Sequence, residues 1–161
     1  MKGEFLNKKR VKKINEKLKE NYGCEFEYEN YFFILRKKDL YIISRDLLLL
    51  EEDFSLKDVS SGLYIGELYE DNFLRLSIEG TQILKDNIKK NFLELDNCEW
   101  RQWMTKQNIK REEFKTLKKF YYVVKHKNNI TKKYDYFGVG LLKDGVLYNY
   151  IPKNRSIKEY H

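Results

Sequence analysis

Near its C-terminal end the chain reads Tyr148-Asn149-Tyr150-Ile151-Pro152-Lys153-Asn154-Arg155. On a strand, Tyr148 and Tyr150 lie two apart and share one face. Pro152, the only proline in the sequence, lacks an N–H. It is expected to end strand pairing and to hold Lys153, Asn154 and Arg155 on a stiff exit. Cations that reach phosphates, beside rings that stack on bases, are what single-stranded or looped RNA requires. Lys125, His126 and Lys127 make a second basic group, and Arg101, next to Trp100, is a further candidate contact. The bland alternative is that both tyrosines fill a small barrel and the tail is merely solvated.

Catalytic chemistry has fewer footholds. "YIGELYEDN" and "FGVGLLKDG" lack the lysine and spacing of a phosphate-binding loop and the helix that should follow. No nucleophile elbow is present. The only histidines are His126, set between lysines and expected at the surface, and His161. Cys24 and Cys98 are too few and too far apart for a disulfide framework or a structural zinc site. The expectation is a non-catalytic protein with no metal and no cofactor, in a reducing, cytoplasmic setting. No run of eighteen apolar residues suggests a transmembrane helix. The first residues also lack the apolar stretch of a secretory signal.

The 161 residues carry a formal net charge of +7 and contain no alanine. The sequence is crowded with Lys, Asn, Ile and Tyr, whose codons are AT-rich, so total charge says less than its distribution. Residues 1–80 have 14 Lys and Arg against 16 Asp and Glu, a net of −2. Residues 81–161 have 18 against nine, a net of +9. A polyanion-binding face on the second half is the natural reading. An alternative role is that of a protein-interaction adaptor, docking a partner through the acidic, aromatic first half.

The elements that would position these residues follow from periodicity. "NKKRVKKINEKLKENYG" is an amphipathic helix with Val11, Ile14 and Leu18 inward and Gly23 as its stop. Its lysines either form a solvated face or contact phosphates. "CEFEYENYFFIL" alternates through Phe26 and Tyr28 as a strand, "RKKD" turns, and "LYIISR" is a second strand. "DLLLLEED" is a buried turn or short helix. A hairpin follows, Leu63–Leu68 and Phe73–Ile78 about "YEDN", and then a helix in "TQILKDNIKK". Beyond residue 86 come a strand in "NFLEL" and a helix in "DNCEWRQWMTKQN" capped by Asp96 or Asn97. Trp100, Trp103 and Met104 make its apolar stripe. "KREEFKTLKK" is a polar connection. "FYYVVKHK", "YDYFGVGLLK" and "VLYNYI" are strands, the last two joined by an Asp144-Gly145 turn. The fold class is α+β, with an N-terminal unit over residues 1–86 and a small mixed pseudo-barrel over residues 87–161.

"FLELDNCEWRQWM" together with the segment from Tyr121 to Lys158 resembles a PUA domain. It is most similar to the PUA-like C-terminal domain of rRNA cytosine-C5 methyltransferases. The matching features are Leu95 and Asp96, Gly138 and Gly140, Asp144 and Gly145, and then Asn149, Tyr150, Pro152 and Lys153. The stretch "GLYIGELYEDNFLRLSIEGTQIL" resembles the last hairpin and helix of the pre-PUA domain in small archaeal and eukaryotic ribosome-biogenesis proteins. The resemblance implies a pre-PUA domain followed by a PUA-like, RNA-binding domain, without the methyltransferase's enzymatic part. The implied partners are rRNA or pre-ribosomal particles and an rRNA methyltransferase. The loop "KQNIKREEF" has no glycine where many PUA domains carry one, so docking of an RNA backbone there is not expected.

Overall fold

The computed structural model describes residues 3–50 and 62–158. Helix α1 spans Lys8–Tyr22, with Asn7 accepting from the Arg10 N–H as its cap and Gly23 in the left-handed conformation at its end. Its buried stripe is Val11, Ile14, Leu18 and Tyr22. The stripe packs on an antiparallel sheet in chain order: β1 Glu4–Phe5, β2 Tyr31–Arg36, β3 Asp39–Ser44, β4 Leu63–Leu68 and β5 Leu74–Leu76. The expected strand through Phe26 and Tyr28 does not form there. Tyr28–Asn30 is a 3-10 turn and pairing starts only at Tyr31. Phe26 instead stacks on Tyr31 at 5.2 Å and packs against the core, which satisfies its apolar surface without a strand.

Helix α2 covers Arg45–Leu50, and Glu51–Asp53 of the "DLLLLEED" segment lie outside the described residues. Helix α3, Ile78–Leu84, begins earlier than its periodicity suggested because Ser77 caps it by accepting from the Gly80 N–H. A 3-10 turn over Lys85–Asn87 then leads to buried Ile88.

The second sheet has the order β6-β8-β9-β10-β7: β6 Phe92–Leu95, β7 Ile109–Lys110, β8 Phe120–Lys127, β9 Tyr134–Lys143 and β10 Val146–Asn149. Among its pairings of described residues, only β6–β8 is parallel. The sheet curls about helix α4, Asn97–Met104, whose cap is a full capping box between Asp96 and Glu99. Glu99 also pairs with Arg111 at 2.6 Å, tying the helix to the chain beyond β7. The "polar connection" is thus more structured than its composition suggested. Its first residue, Lys110, completes β7, and it holds a 3-10 turn that buries Phe114. Asp144 and Gly145 both have positive φ, 51° and 79°, as a type I′ turn requires.

The second sheet is covered on both sides. One face sends Tyr122, Val124, Leu142 and Leu147 to Trp103 of α4. The other sends Val123, Tyr136 and Val139 into the core of the first half, beside Leu18 and Leu76. Two polar contacts fix this junction. The Tyr22 hydroxyl of α1 donates to the Tyr121 carbonyl at 2.8 Å. Buried Thr81 of α3 accepts from the Gly138 N–H at 3.0 Å. Gly138 has φ 81°, and the β8–β9 register shifts beside it, so the expected bend in "FGVG" is a bulge aimed at α3. The architecture is a pre-PUA-type α+β unit followed by a PUA-like curled half-barrel.

Candidate nucleic-acid interface

The sequence candidates fall into two neighbouring places. The first lies between α4 and the β8–β9 hairpin. A cleft of about 270 Å³ there is lined by Arg101, His126, Asn128, Asn129 and Trp100, among others. Arg101 is exposed. His126 is not the surface side chain its sequence neighbours suggested. It is 9% exposed, stacks on Trp100 at 5.1 Å, and has Nε2 2.8 Å from Asn97 Oδ1. The strand alternation that carries Val124 to the α4 face carries His126 with it, so its ring forms the cleft's wall. Lys127 is exposed at the strand end and leads into a hairpin tip with exposed Lys132 and Lys133. Lys125 faces away from α4. Its amine lies 4.0 Å and 4.1 Å from the Phe92 and Tyr134 ring centres, an arrangement that holds a cation firmly.

The second place is the tail. Tyr148 and Tyr150 are 40% and 42% exposed, so neither fills the half-barrel. Pairing stops earlier than Pro152: β10 ends at Asn149. The Asn149 amide donates to the Trp103 carbonyl at 2.7 Å, and its Oδ1 accepts from the Ile151 N–H at 2.8 Å. This side-chain turn, rather than the proline, ends the strand. It also points Asn149 toward α4 and leaves the two tyrosines on the other face. Lys153, Asn154 and Arg155 form an exposed 3-10 turn. Arg155, expected as a free cation, is ion-paired with Glu79 of α3. The Ile157 N–H then bonds the Met104 carbonyl at 2.8 Å. The tail is therefore a strap, lying over the junction of the halves and ending on α4.

Under the strap lies a cleft of about 520 Å³, whose lining includes Arg75, Ser77, Glu79, Tyr150, Asn154 and Arg155. Phe137 borders both clefts and connects the two places. Arg75 was not singled out in the sequence. It pairs with Glu67 at 2.7 Å, and its guanidinium carbon sits 4.7 Å from the Tyr150 ring centre. Within a half of net negative charge, one arginine in "FLRLSIEG" gives no local signal; only the docking of the halves brings it to Tyr150. The cysteines remain outside both places. Burial pushes the Cys24 thiol up to about 12, which suits core packing and not nucleophilic chemistry.

Residues 5–78 match the model of the pre-PUA domain of the NIP7/UPF0113 family. That family is non-catalytic and associated with ribosome biogenesis and RNA binding. No curated protein matches the chain. Among the described residues, no helix is long and apolar enough to cross a membrane.

Proposed function

We propose that this protein binds RNA without catalysing a reaction and works in ribosome biogenesis or rRNA modification, on rRNA or pre-ribosomal particles. The observation that carries this reading is the joining of a NIP7-type pre-PUA domain to a sheet whose cations are unspent. Lys119, Lys127, Lys132, Lys133, Lys143 and Lys153 are exposed and form no ion pair with the described residues. Exposed, unpaired lysines are the electrostatic footprint of a phosphate-binding face. Of the sequence candidates, the exposed Arg101, Lys127, Lys153 and Asn154 would reach a backbone, and the exposed Tyr148 and Tyr150 would stack. Lys125 and His126 serve as walls. Residues 1–86 dock the RNA-binding half over residues 87–161. The protein partner that the C-terminal resemblance points to is an rRNA cytosine-C5 methyltransferase, for which this chain would hold the substrate RNA.

The test is a fluorescence-anisotropy titration of an unstructured RNA at several salt concentrations. With about four phosphates neutralised, the log–log slope is expected near −3, from roughly −0.7 per contact on single strands. No binding at low salt, or binding indifferent to salt, overturns the reading. Co-purification with pre-ribosomal particles or a methyltransferase tests the cellular role separately.

A further inference from the structure

Tyr150 belongs to a row of rings that runs from one half of the molecule to the other. Its ring meets Tyr121 of β8 edge-on, with centres 6.0 Å apart. Tyr121 meets Phe73 at 5.6 Å, and Phe73 meets Tyr69 at 6.0 Å. Tyr69 and Phe73 flank the β4–β5 turn, in the acidic half where the charge pattern had suggested no RNA site. None of these four rings is fully buried, and Tyr148, on the Tyr150 side of β10, is exposed with no ring partner among the described residues. Arg75 covers one side of Tyr150 and is held in place by Glu67. Lys38 approaches the far end, 6.0 Å from the Tyr69 ring centre.

We infer that this row is a binding track for an unpaired RNA strand, with bases stacking on tyrosines contributed by both halves. The inference rests on the RNA reading above and adds a site that the basic residues alone do not define. Its physical ground is twofold. Rings that served only to join the halves would be closed over, because leaving large aromatic surface in water forgoes burial. Here Tyr148 and Tyr150 stand open at the end of the row. The Tyr121–Tyr150 contact is tilted, at 62°, so the two rings do not stack face to face, and Tyr150 keeps exposed surface on which a base can lie. Paired RNA keeps its bases stacked inside the helix and offers none, so the track selects unpaired strands. Arg75 and Lys38 supply charge at both ends. Tyr121's phenol is pushed up by burial and by the neighbouring Tyr150 and Tyr69 hydroxyls, so it stays neutral.

The test uses the full chain and a fluorescein-labelled, unstructured 12-nucleotide RNA, with the same sequence as a duplex for comparison. Tyr148→Ala and Tyr150→Leu are each expected to weaken single-strand binding about 5–150-fold, the loss of one base–ring stack. Duplex binding should change little. Because Tyr150 touches Tyr121, its variant can also lower the melting temperature; Tyr148→Ala, which removes no ring contact, then decides. Photocrosslinking with 4-thiouridine should label peptides carrying Tyr69 or Phe73 as well as Tyr150. If the parent binds this RNA and both variants bind it equally well, with crosslinks confined to the Lys127–Lys133 hairpin, the track is refuted while the RNA reading stands. A parent that binds no RNA overturns both.

Discussion

Thr81 is the most exacting point at which to test whether the two halves act as one body. Its side chain is fully buried on α3, where its hydroxyl donates to the Ile78 carbonyl at 2.8 Å and accepts from the Gly138 N–H at 3.0 Å. Gly138 is also buried, so its N–H cannot turn to water instead. Thr81→Val keeps the shape and removes the acceptor. A buried donor left unsatisfied costs about 1–3 kcal/mol. For a chain of this size each kcal/mol moves the melting temperature by about 2–4 °C, so a fall of about 2–12 °C is expected. Thr81→Ser keeps the hydroxyl and loses one methyl group, about 0.8 kcal/mol of transfer, and should melt above the valine variant. Far-ultraviolet circular dichroism and calorimetry would follow both, and each should show a single transition, because the contact joins elements of both sheets. A valine variant that melts with the parent, or a transition that splits in two, would refute a shared, polar-pinned junction.

Four further outcomes follow from the geometry. Arg155→Ala should cost under about 1 kcal/mol of stability, the range for a partly exposed ion pair; Glu79→Gln, which releases the guanidinium, should strengthen RNA binding in the anisotropy titration, and unchanged affinity would mean that Arg155 contacts no phosphate. At pH 8 a thiol reagent should label Cys98 and spare Cys24, whose burial holds its pKa near 12, until the protein is unfolded; two fast thiols in the native state would contradict that burial. Because folding keeps the Cys24 thiol protonated, stability should fall as pH rises from the ordinary thiol range toward 12. Residues 87–161 expressed alone should be poorly folded by circular dichroism, since Val123, Tyr136 and Val139 would lose their cover; a sharp melt of that fragment would show that it folds on its own.

Much of the architecture was legible because it rests on local rules. The Val11–Ile14–Leu18 stripe, the cap at Asp96 or Asn97 and the Asp144-Gly145 turn depend on spacing and on single-residue preferences; stripe and turn appear where the sequence put them, and of the two cap candidates it is Asp96 that caps. The α+β class and the curled second sheet followed from the same rules. Misreadings arose where side chains outside the local pattern decided. Phe26 packs on Tyr31 without joining a strand, Phe114 hides within a polar run, and Asn149 ends β10 three residues before the proline. The candidate site divides in the same way. That rings and cations sit together at the C-terminal end could be read from "YNYIPKNR". That Arg155 is bound by Glu79, that His126 lies under Trp100, and that Arg75 covers Tyr150 could not. These pairs join residues tens of positions apart in the chain. Strand alternation fixes which face a side chain takes, but not which partner will cover that face; only the docking of the two sheets over a common core settles that.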